Sequence, residues 1–229
     1  MELIENPICD LCQQPLSDLE VLRGLFILKP CIICRTCKNR FEPITGMKCR
    51  QCGRDVAEVD DNQCLDCRVW MKRTNGQIKH VSLYHYNEIM QHYFKYYKFQ
   101  GGYHLSQLFC SEIQRTIRKM NVEVVVPIPL SDVKYSARGF NQVEAWLGTD
   151  YQQLLKRVHQ TDSQSKRTKW ERINSSNPFS VSTHQPYPKE CRICLVDDIY
   201  TTGTTIRQAY EVIRQAGYRN ICSLSLVHA

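Results

Sequence analysis

The feature that most constrains this 229-residue sequence is the spacing of its cysteines. Four Cys-x-x-Cys pairs occur within the first 70 residues: Cys9 with Cys12, Cys34 with Cys37, Cys49 with Cys52, and Cys64 with Cys67. Two such pairs can place four sulfurs about 2.3 Å from one tetrahedral Zn²⁺. A closed four-thiolate shell has no open position for a substrate, so the pattern predicts structural zinc in a segment with little apolar core of its own.

The pairing of these cysteines has more than one solution. Sequential pairing predicts one ion on Cys9, Cys12, Cys34 and Cys37, and a second on Cys49, Cys52, Cys64 and Cys67. A cross-braced arrangement of the same residues is an open alternative, as is a single ion. Cys31 is an additional thiol three residues before Cys34. A redox motif is disfavoured because the pairs lack the βαβ context in which such motifs occur.

Composition divides the chain near Trp70. We predict a cysteine-rich module at 1–70 and a larger domain at 71–229. Residues 1–70 carry nine Lys and Arg against eleven Asp and Glu, net −2, whereas residues 71–229 carry 21 against 12, net +9. The overall charge of +7 therefore belongs to the larger part. A pI near 8.8 is only mildly basic, which permits nucleic-acid binding without requiring it.

The sequence contains no apolar run of the roughly 18 residues that a membrane span needs. Residues 1–5 are acidic and lack the positive and apolar regions of a signal peptide. We therefore expect a cytoplasmic protein. In that reducing compartment, thirteen cysteines are expected to act as metal ligands or buried thiols before they form disulfides.

From residue 80 the hydrophobic pattern is typical of an α/β domain. Strands are predicted at 80–86, 122–128, 193–196 and 221–227, and helices at 88–99, 105–120, from about 141, and at 204–216. This alternation predicts a parallel sheet with helices on both faces. Residues 163–177 are polar and rich in Lys and Arg, which is typical of a mobile excursion.

The stretch from 193 to 205 carries the clearest chemical signal. A buried strand is followed by two acids, Asp197 and Asp198, and then by Thr201, Thr202, Gly203, Thr204 and Thr205 at the start of a helix. Backbone amides at a helix N-terminus and threonine hydroxyls can bind a phosphate, and Gly203 lets the backbone approach it. The acids can accept hydrogen bonds from ribose hydroxyls, directly or through hydrated Mg²⁺. The alternative is that these residues only cap a turn and a helix.

This stretch resembles the phosphoribosyl pyrophosphate (PRPP) signature of type I phosphoribosyltransferases. Together with KFQGG at 98–102, PIPL at 127–130, RGFNQ at 138–142, and QSK at 164–166 with Glu171-Arg172, it resembles the ordered motifs of the ComF family of bacterial competence proteins. The cysteine module ahead of them is similar to that of the zinc-finger-bearing, ComFC-like members. The resemblance covers nearly the whole chain and implies a type I phosphoribosyltransferase-like fold.

The resemblance also implies roles for individual residues. Residues 201–205 are expected to bind the 5′-phosphate, and Asp197 and Asp198 the ribose. Arg138 is expected near pyrophosphate, which a guanidinium binds bidentately. Lys98 is either a second pyrophosphate contact or only a cation at a helix C-terminus. Arg172, on the basic excursion, is expected to close over PRPP.

Two functions follow from the resemblance. One is a late competence protein that handles incoming single-stranded DNA, with the helicase ComFA and the recombination loader DprA as partners and with recruitment to the inner face of the membrane. The alternative is an active Mg²⁺-dependent phosphoribosyltransferase with an unknown acceptor. In many relatives a segment after the last strand forms the hood that recognises the acceptor base. The sequence stops at Ala229, directly after the last predicted strand, so we expect the acceptor pocket to be missing or supplied elsewhere. The cysteine module is one candidate for this hood.

Two smaller predictions concern side chains near these motifs. Between 80 and 104, aromatic residues are interleaved with lysines, a composition suited to stacking single-stranded DNA, and helical spacing leaves Tyr93, Lys95 and Tyr96 as the candidate exposed contacts. Cys194 and Cys222 lie in predicted buried strands and are expected to be inert core thiols.

Overall fold

The computed structural model describes residues 7–26, 31–56, 63–73, 78–158, 177–182 and 187–229. Its helices are α1 (Asp18–Phe26), α2 (Arg35–Asn39), α3 (Leu65–Arg73), α4 (Glu88–Phe99), α5 (Gln107–Lys119), α6 (Asp132–Arg138), α7 (Gln142–Leu147) and α8 (Thr204–Gln215), with a 3-10 helix at Tyr103–Ser106. Its strands are β1 (Lys79–His85), β2 (Val124–Pro127), β3 (Leu155–Arg157), β4 (Phe179–Val181), β5 (Ile193–Tyr200) and β6 (Ile221–His228).

The core of the fold is a four-stranded parallel sheet in the order β1-β6-β5-β2. Successive side chains of β5 alternate between two apolar clusters. Cys194 and Val196 pack with α4, α5 and α7 on one face, whereas Ile193 and Leu195 pack with α8 on the other. This alternation follows from the two-residue period of a strand. The predicted α/β architecture, with helices on both faces of a parallel sheet, is confirmed.

The sheet contains buried thiols and a polar network. Cys194 and Cys222 are register partners in β5 and β6 and are buried, as predicted for core thiols. His80 is also buried, and hydroxyl groups surround its ring nitrogens: Ser223 at 2.8 Å, Ser82 at 2.9 Å and Ser225 at 3.1 Å. Burial lowers the pKa of His80 well below its ordinary value, so this imidazole is neutral.

Helix α4 forms the aromatic part of the core. Asn87 caps its first turn by accepting a hydrogen bond from the Met90 amide at 3.2 Å. Tyr93 is fully buried, stacked on Tyr97 and edge-on to Phe109. The prediction that Tyr93 is an exposed base-stacking residue was therefore wrong. The reason is that the buried face of this helix, which includes both residues of the pairs 89–90, 93–94 and 97–98, is wider than a single helical stripe.

Strand β5 is four residues longer than predicted. Asp197 and Asp198 lie within the strand rather than after it, because pairing with β6 continues through Tyr200 and His228. The sequence analysis also missed the antiparallel pair of β3 and β4, in which Leu155 is the register partner of Val181. These strands are three residues each and flank the polar segment, so no periodic signal marks them.

The cysteine-rich part of the chain packs along the outer edge of β1. The Ile44 amide donates to the Leu83 carbonyl at 2.8 Å, and the His85 amide donates to the Glu42 carbonyl at 2.9 Å. Farther along the strand, the His80 amide donates to the Gln51 carbonyl at 2.7 Å. These bonds occupy an edge strand that would otherwise be unpaired. The division into two domains at 70 and 71 stays a prediction.

Candidate functional site

The predicted phosphate loop, residues 201–205, lies between the end of β5 and the first turn of α8. Gly203 adopts the left-handed conformation (φ 74°) and is the residue at the helix N-cap. The hydroxyls of Thr202 and Thr204 are 2.8 Å apart, and all four threonines are exposed. The loop thus brings the five predicted residues together at a helix N-terminus, where backbone amides and the helix dipole favour an anion.

Asp197 and Asp198 are partly buried on β5, and Asp198 is three residues before this loop. The Asp198 amide donates to Asp197 Oδ1 at 2.9 Å, and the Ile199 amide donates to Asp198 Oδ1 at 2.7 Å. Burial first, and the Asp198 charge second, raise the pKa of Asp197 to about 7. The acids are successive residues of β5, so their side chains leave opposite faces of the sheet: Asp198 pairs with Lys98 of α4, and Asp197 is close enough to Arg157 of β3 for their charges to interact.

Lys98 forms an ion pair with one of the two acids, Asp198. Its Nζ lies 2.5 Å from Asp198 Oδ2, with only 10% of the lysine side chain and 19% of the aspartate side chain exposed. The same ammonium group lies 4.3 Å from the centroid of the Phe94 ring. Lys98 is in the last turn of α4, as in the helix-terminus alternative, but its direct partner is a carboxylate of the site.

Three further cations lie in this region: the charge of Lys134 interacts with Asp198, that of Arg157 with Asp197, and that of Arg138 with Lys134. Arg138 ends α6, where its Nη1 donates to Gln142 Oε1 at 2.6 Å and its guanidinium lies 5.4 Å over the Phe99 ring. Burial first, and then the charges of Arg138 and Arg157, lower the pKa of Lys134. Partial burial also lowers the pKa of Arg157, while the nearby Asp197 charge opposes this effect.

Sequence reasoning missed Lys134 and Arg157. Arg157 lies on β3, a strand too short to predict, and Lys134 lies on α6, which the sequence analysis treated as a loop after β2. No element was predicted around Arg138, which lies on the last turn of α6 because Ser131 caps this helix and Gly139 ends it. Arg172 and the QSK motif lie outside the described residues.

The eight predicted zinc ligands form two clusters with the sequential pairing. Cys9, Cys12, Cys34 and Cys37 form one, here called the first cluster, and Cys49, Cys52, Cys64 and Cys67 form the second cluster. Within each, the sulfurs lie within 4.8 Å of one another. Cys31 is outside both, and its thiol donates to the Ile33 carbonyl at 3.1 Å. All thirteen cysteines are described, and none of them forms a disulfide.

The donors of both clusters fit a metal ion. Four sulfurs at this separation match a tetrahedral thiolate shell, the ordinary structural zinc site. In the second cluster, the hydrogen bond with Cys67 above all lowers the pKa of Cys52 to about 3. Two buried nitrogens that have no acceptor among the described residues, Arg207 Nε and His228 Nε2, belong to side chains next to the same thiols. Each cluster could therefore hold one ion such as Zn²⁺.

Two exposed aromatic side chains follow Lys98 in the chain. Phe99, the last residue of α4, is 66% exposed and lies under the Arg138 guanidinium, and Tyr103, the first residue of the 3-10 helix, is 55% exposed. Lys95, one turn earlier on α4, is exposed as well, whereas Tyr96 is half-buried. The aromatic surface is therefore present, but at Phe99 and Tyr103 rather than at Tyr93.

The fold and these clusters define an α/β protein with a four-stranded parallel sheet and two tetracysteine centres. No family model matches the chain. It is 33% identical over 224 residues to competence protein ComFC of Streptococcus pneumoniae, covering 96% of this chain and 99% of that one. Its identity to competence protein ComFC of Bacillus subtilis is 32% over 239 residues, covering 99% and 97%. Competence protein F of Haemophilus influenzae is 25% identical over 213 residues, covering 86% and 90%.

The chain therefore belongs to the ComFC family of competence proteins. The family resemblance drawn from the motifs is confirmed. In the part of the chain that the structure describes, no helix is both long enough and apolar enough to cross a bilayer.

Proposed function

We propose that this protein takes part in competence and handles incoming single-stranded DNA in the cytosol, using a pocket for PRPP beside a surface that binds DNA. The observation that supports the proposal is the acidic pair on β5, three residues before the loop at 201–205, with Lys98 paired to Asp198 and with the charges of Lys134 and Arg157 close enough to interact with the acids. The names of the relatives support the role in competence.

The chemistry of PRPP matches the three parts of this pocket. Residues 201–205 bind the 5′-phosphate through amides and hydroxyls, and Asp197 and Asp198 accept hydrogen bonds from the ribose hydroxyls. Arg138, Lys134 and Arg157 supply positive charge for the pyrophosphate, joined by Arg172 from the basic excursion. Lys98 neutralises Asp198. Mg²⁺, held near the acidic pair, supplies further charge neutralisation when PRPP is bound.

DNA binding is assigned to the exposed aromatic patch. Phe99 and Tyr103 present flat faces on which bases can stack, and Lys95 and Arg138 offer charge to the phosphates. Because Arg138 lies over Phe99, the DNA surface and the PRPP pocket share a residue. The helicase ComFA and the loader DprA are the proposed protein partners, and recruitment to the inner membrane face would follow from them.

The second candidate is a Mg²⁺-dependent phosphoribosyltransferase. It is favoured by the cations around the acidic pair, because displacement of pyrophosphate from the ribose C1 builds positive charge on the sugar and negative charge on the leaving group. In this reaction Arg138, Lys134 and Arg157 neutralise the leaving pyrophosphate, and Asp197 and Asp198 hold the ribose. The acceptor is the unknown partner of the reaction.

The test is calorimetric titration of PRPP with Mg²⁺ into the wild type and an Asp197→Asn, Asp198→Asn double variant, with exposed Glu211→Gln on α8 as the matched control. We expect binding to the wild type and the control, and loss of binding in the double variant. Retained binding in the double variant would remove the acids from the site.

Single-stranded DNA binding is then measured for the wild type, Phe99→Ala and Tyr103→Ala. The control is Phe26→Ala, an aromatic residue on α1 that is 87% exposed. Stacking contributes roughly 1–3 kcal/mol per base, so each patch variant should weaken binding at least fivefold and the control should not. If the wild type binds DNA but not PRPP, the PRPP pocket is contradicted and the fold serves as a scaffold for DNA handling.

A further inference from the structure

The second cluster is connected to the phosphate loop through two side chains. Trp70 lies three residues after Cys67 on α3, and its indole Nε1 donates to the Thr202 carbonyl at 3.0 Å. The guanidinium of Arg207 lies 4.8 Å over the Trp70 ring. Arg207 Nη2 also lies 3.9 Å from Cys67 Sγ. A continuous path of contacts therefore leads from a cluster sulfur to the backbone of the loop.

The positive end of this path is buried without full compensation. Arg207 is 7% exposed, and its Nε has no acceptor in the described part of the chain. Four thiolates around one divalent ion carry a net charge of −2, so the loaded cluster places negative charge against this guanidinium. The imidazole of His228 lies beside the Cys52 thiol of the same cluster. Side chains that donate to metal ligands in this way orient the ligands and strengthen metal binding.

The floor of the loop is built from residues that touch the same cluster. Tyr200 packs between His80 and His228. The centroid of its ring lies 4.2 Å from that of His80 and 5.0 Å from that of His228. Its hydroxyl lies directly against the Gly203 backbone, so closely that no β-carbon fits there. Residues of the second cluster and of the loop, including Cys52, Cys67, Thr201 and Thr202, line one small cleft.

The first cluster has different surroundings. Cys9 and Cys37 pack into the apolar core formed by α4 and α5, together with Phe41 and Phe109. On the surface, Asp10 pairs with His104 at 2.8 Å. None of these described contacts reaches residues 201–205. The two clusters are alike in composition and differ in what they touch, which makes the first cluster an internal control.

We propose that the metal-loaded second cluster holds the phosphate loop in its anion-binding conformation, with Trp70 and Arg207 as the positioning residues. Loss of the metal, or of either side chain, frees the Thr202 backbone and the first turn of α8. The ligand readout of this proposal rests on the proposed function, whereas the loop conformation does not.

The ligand arm of the test uses ribose 5-phosphate as the probe, because it carries the phosphate without pyrophosphate or Mg²⁺. Zinc-loaded full-length Trp70→Phe and Arg207→Gln are compared with Val69→Ala, a neighbouring exposed position on α3. Each positioning variant removes about one net hydrogen bond, so we expect about fivefold weaker binding with the zinc content of Trp70→Phe unchanged. Val69→Ala should bind as the wild type does.

The conformational arm measures amide hydrogen exchange in the first turn of α8 without ligand. Here the Arg207 amide donates to the Gly203 carbonyl at 3.0 Å. Trp70→Phe and a second-cluster variant, Cys64→Ser, should exchange severalfold faster in this turn, whereas Cys12→Ser in the first cluster should not. Trp70→Phe leaves all eight cysteines intact, so this arm does not depend on the folding of a cysteine variant.

The two arms separate the two proposals. Equal exchange in the wild type and Trp70→Phe would overturn the positioning role, whether or not ribose 5-phosphate binds. Equally fast exchange in Cys12→Ser and Cys64→Ser would overturn the specific role of the second cluster. Faster exchange in Trp70→Phe than in the wild type, together with a wild type that binds neither ribose 5-phosphate nor PRPP, would support the coupling and overturn the proposed ligand.

Discussion

Lys98 and the two aspartates form the most sensitive group of charges in the molecule at the scale of single residues. Two adjacent carboxylates at the end of β5 share one buried cation, and the ion pair to Asp198 is mostly shielded from water. Removing one partner of a buried pair leaves an uncompensated charge, which costs far more than losing an exposed pair. The stability of the folded protein should therefore depend on this lysine before any ligand is considered.

Lys98→Met is expected to lower the free energy of unfolding by roughly 3 kcal/mol at pH 8, measured by urea denaturation. The matched control is Arg40→Gln, which breaks the Arg40–Glu88 pair, where the side chains are 48% and 70% exposed. That pair should contribute less than about 1 kcal/mol. Combining Lys98→Met with Asp198→Asn should recover most of the loss, and failure to do so would contradict the pairing.

Asp197 should make stability depend on pH. Its pKa is raised to about 7 by burial and by Asp198, whereas an unfolded aspartate titrates near 3.9. Between about pH 4 and 7 the folded state binds the proton that the unfolded state has lost, so the free energy of unfolding falls as pH rises through this window. Asp197→Asn should remove this part of the fall.

The measurement for Asp197→Asn is denaturant unfolding at pH 5 and pH 8 without divalent cations. The variant should gain stability relative to the wild type at pH 8 but not at pH 5. Exposed Glu211→Gln should leave the difference between the two pH values unchanged. A wild-type curve that already lacks the fall would contradict an elevated pKa at Asp197.

At the scale of elements, the turn from β5 into α8 depends on one glycine. Gly203 has φ 74° and ψ 6°, and the Tyr200 hydroxyl occupies the space where a β-carbon would stand. Gly139 has nearly the same backbone conformation, φ 78° and ψ −11°, but open space around it. The pair separates the cost of the conformation from the cost of the clash.

Gly139→Ala should lower the free energy of unfolding by about 1 kcal/mol, the conformational cost alone. Gly203→Ala should cost about 1–3 kcal/mol more, because Tyr200 must move. Thermal or urea unfolding measures both, and adding Tyr200→Phe to Gly203→Ala should restore part of the difference. Equal losses at the two glycines would show that Tyr200 yields without cost.

The elements also show what the sequence could and could not predict. Strands β1, β2 and β6 and helices α4, α5 and α8 carry continuous or periodic apolar patterns, and local spacing was enough to place them. The acids proved to lie inside β5 because β6 pairs beyond the apolar run, and pairing partners are not local information. Tyr93 was misplaced for the same reason, because its burial depends on Phe109 and Trp146 from later helices.

The candidate site was predictable where one segment builds it. The phosphate loop and acids are contiguous, and each cluster uses regularly spaced cysteine pairs, so both could be found from spacing. Arg157 and Lys134 reach the acids from short elements without a motif, and the sequence carried no signal for them. The Lys98–Asp198 pair joins residues one hundred positions apart, so its partner needed the structure.

For the molecule as a whole, the clusters make a prediction about metal content. Mass spectrometry under native conditions, together with elemental analysis, should give two zinc ions per chain for the wild type. Cys34→Ser should lose one ion, whereas Cys31→Ser should keep both because Cys31 lies outside the first cluster. One ion in the wild type, or loss of an ion in Cys31→Ser, would contradict two independent sites.

The hydrogen bonds between the cysteine-rich segment and β1 have a consequence for how the protein behaves when it is damaged. Without that segment, the backbone of β1 would be an open edge at which a second molecule could add its own strand. Chelation of both ions should therefore lead to aggregation of the protein rather than to unfolding of the cysteine-rich segment alone. For the same reason, a fragment that starts at β1 would be a poor choice for expression. By covering the edge of β1, the cysteine-rich segment protects the parallel sheet from self-association.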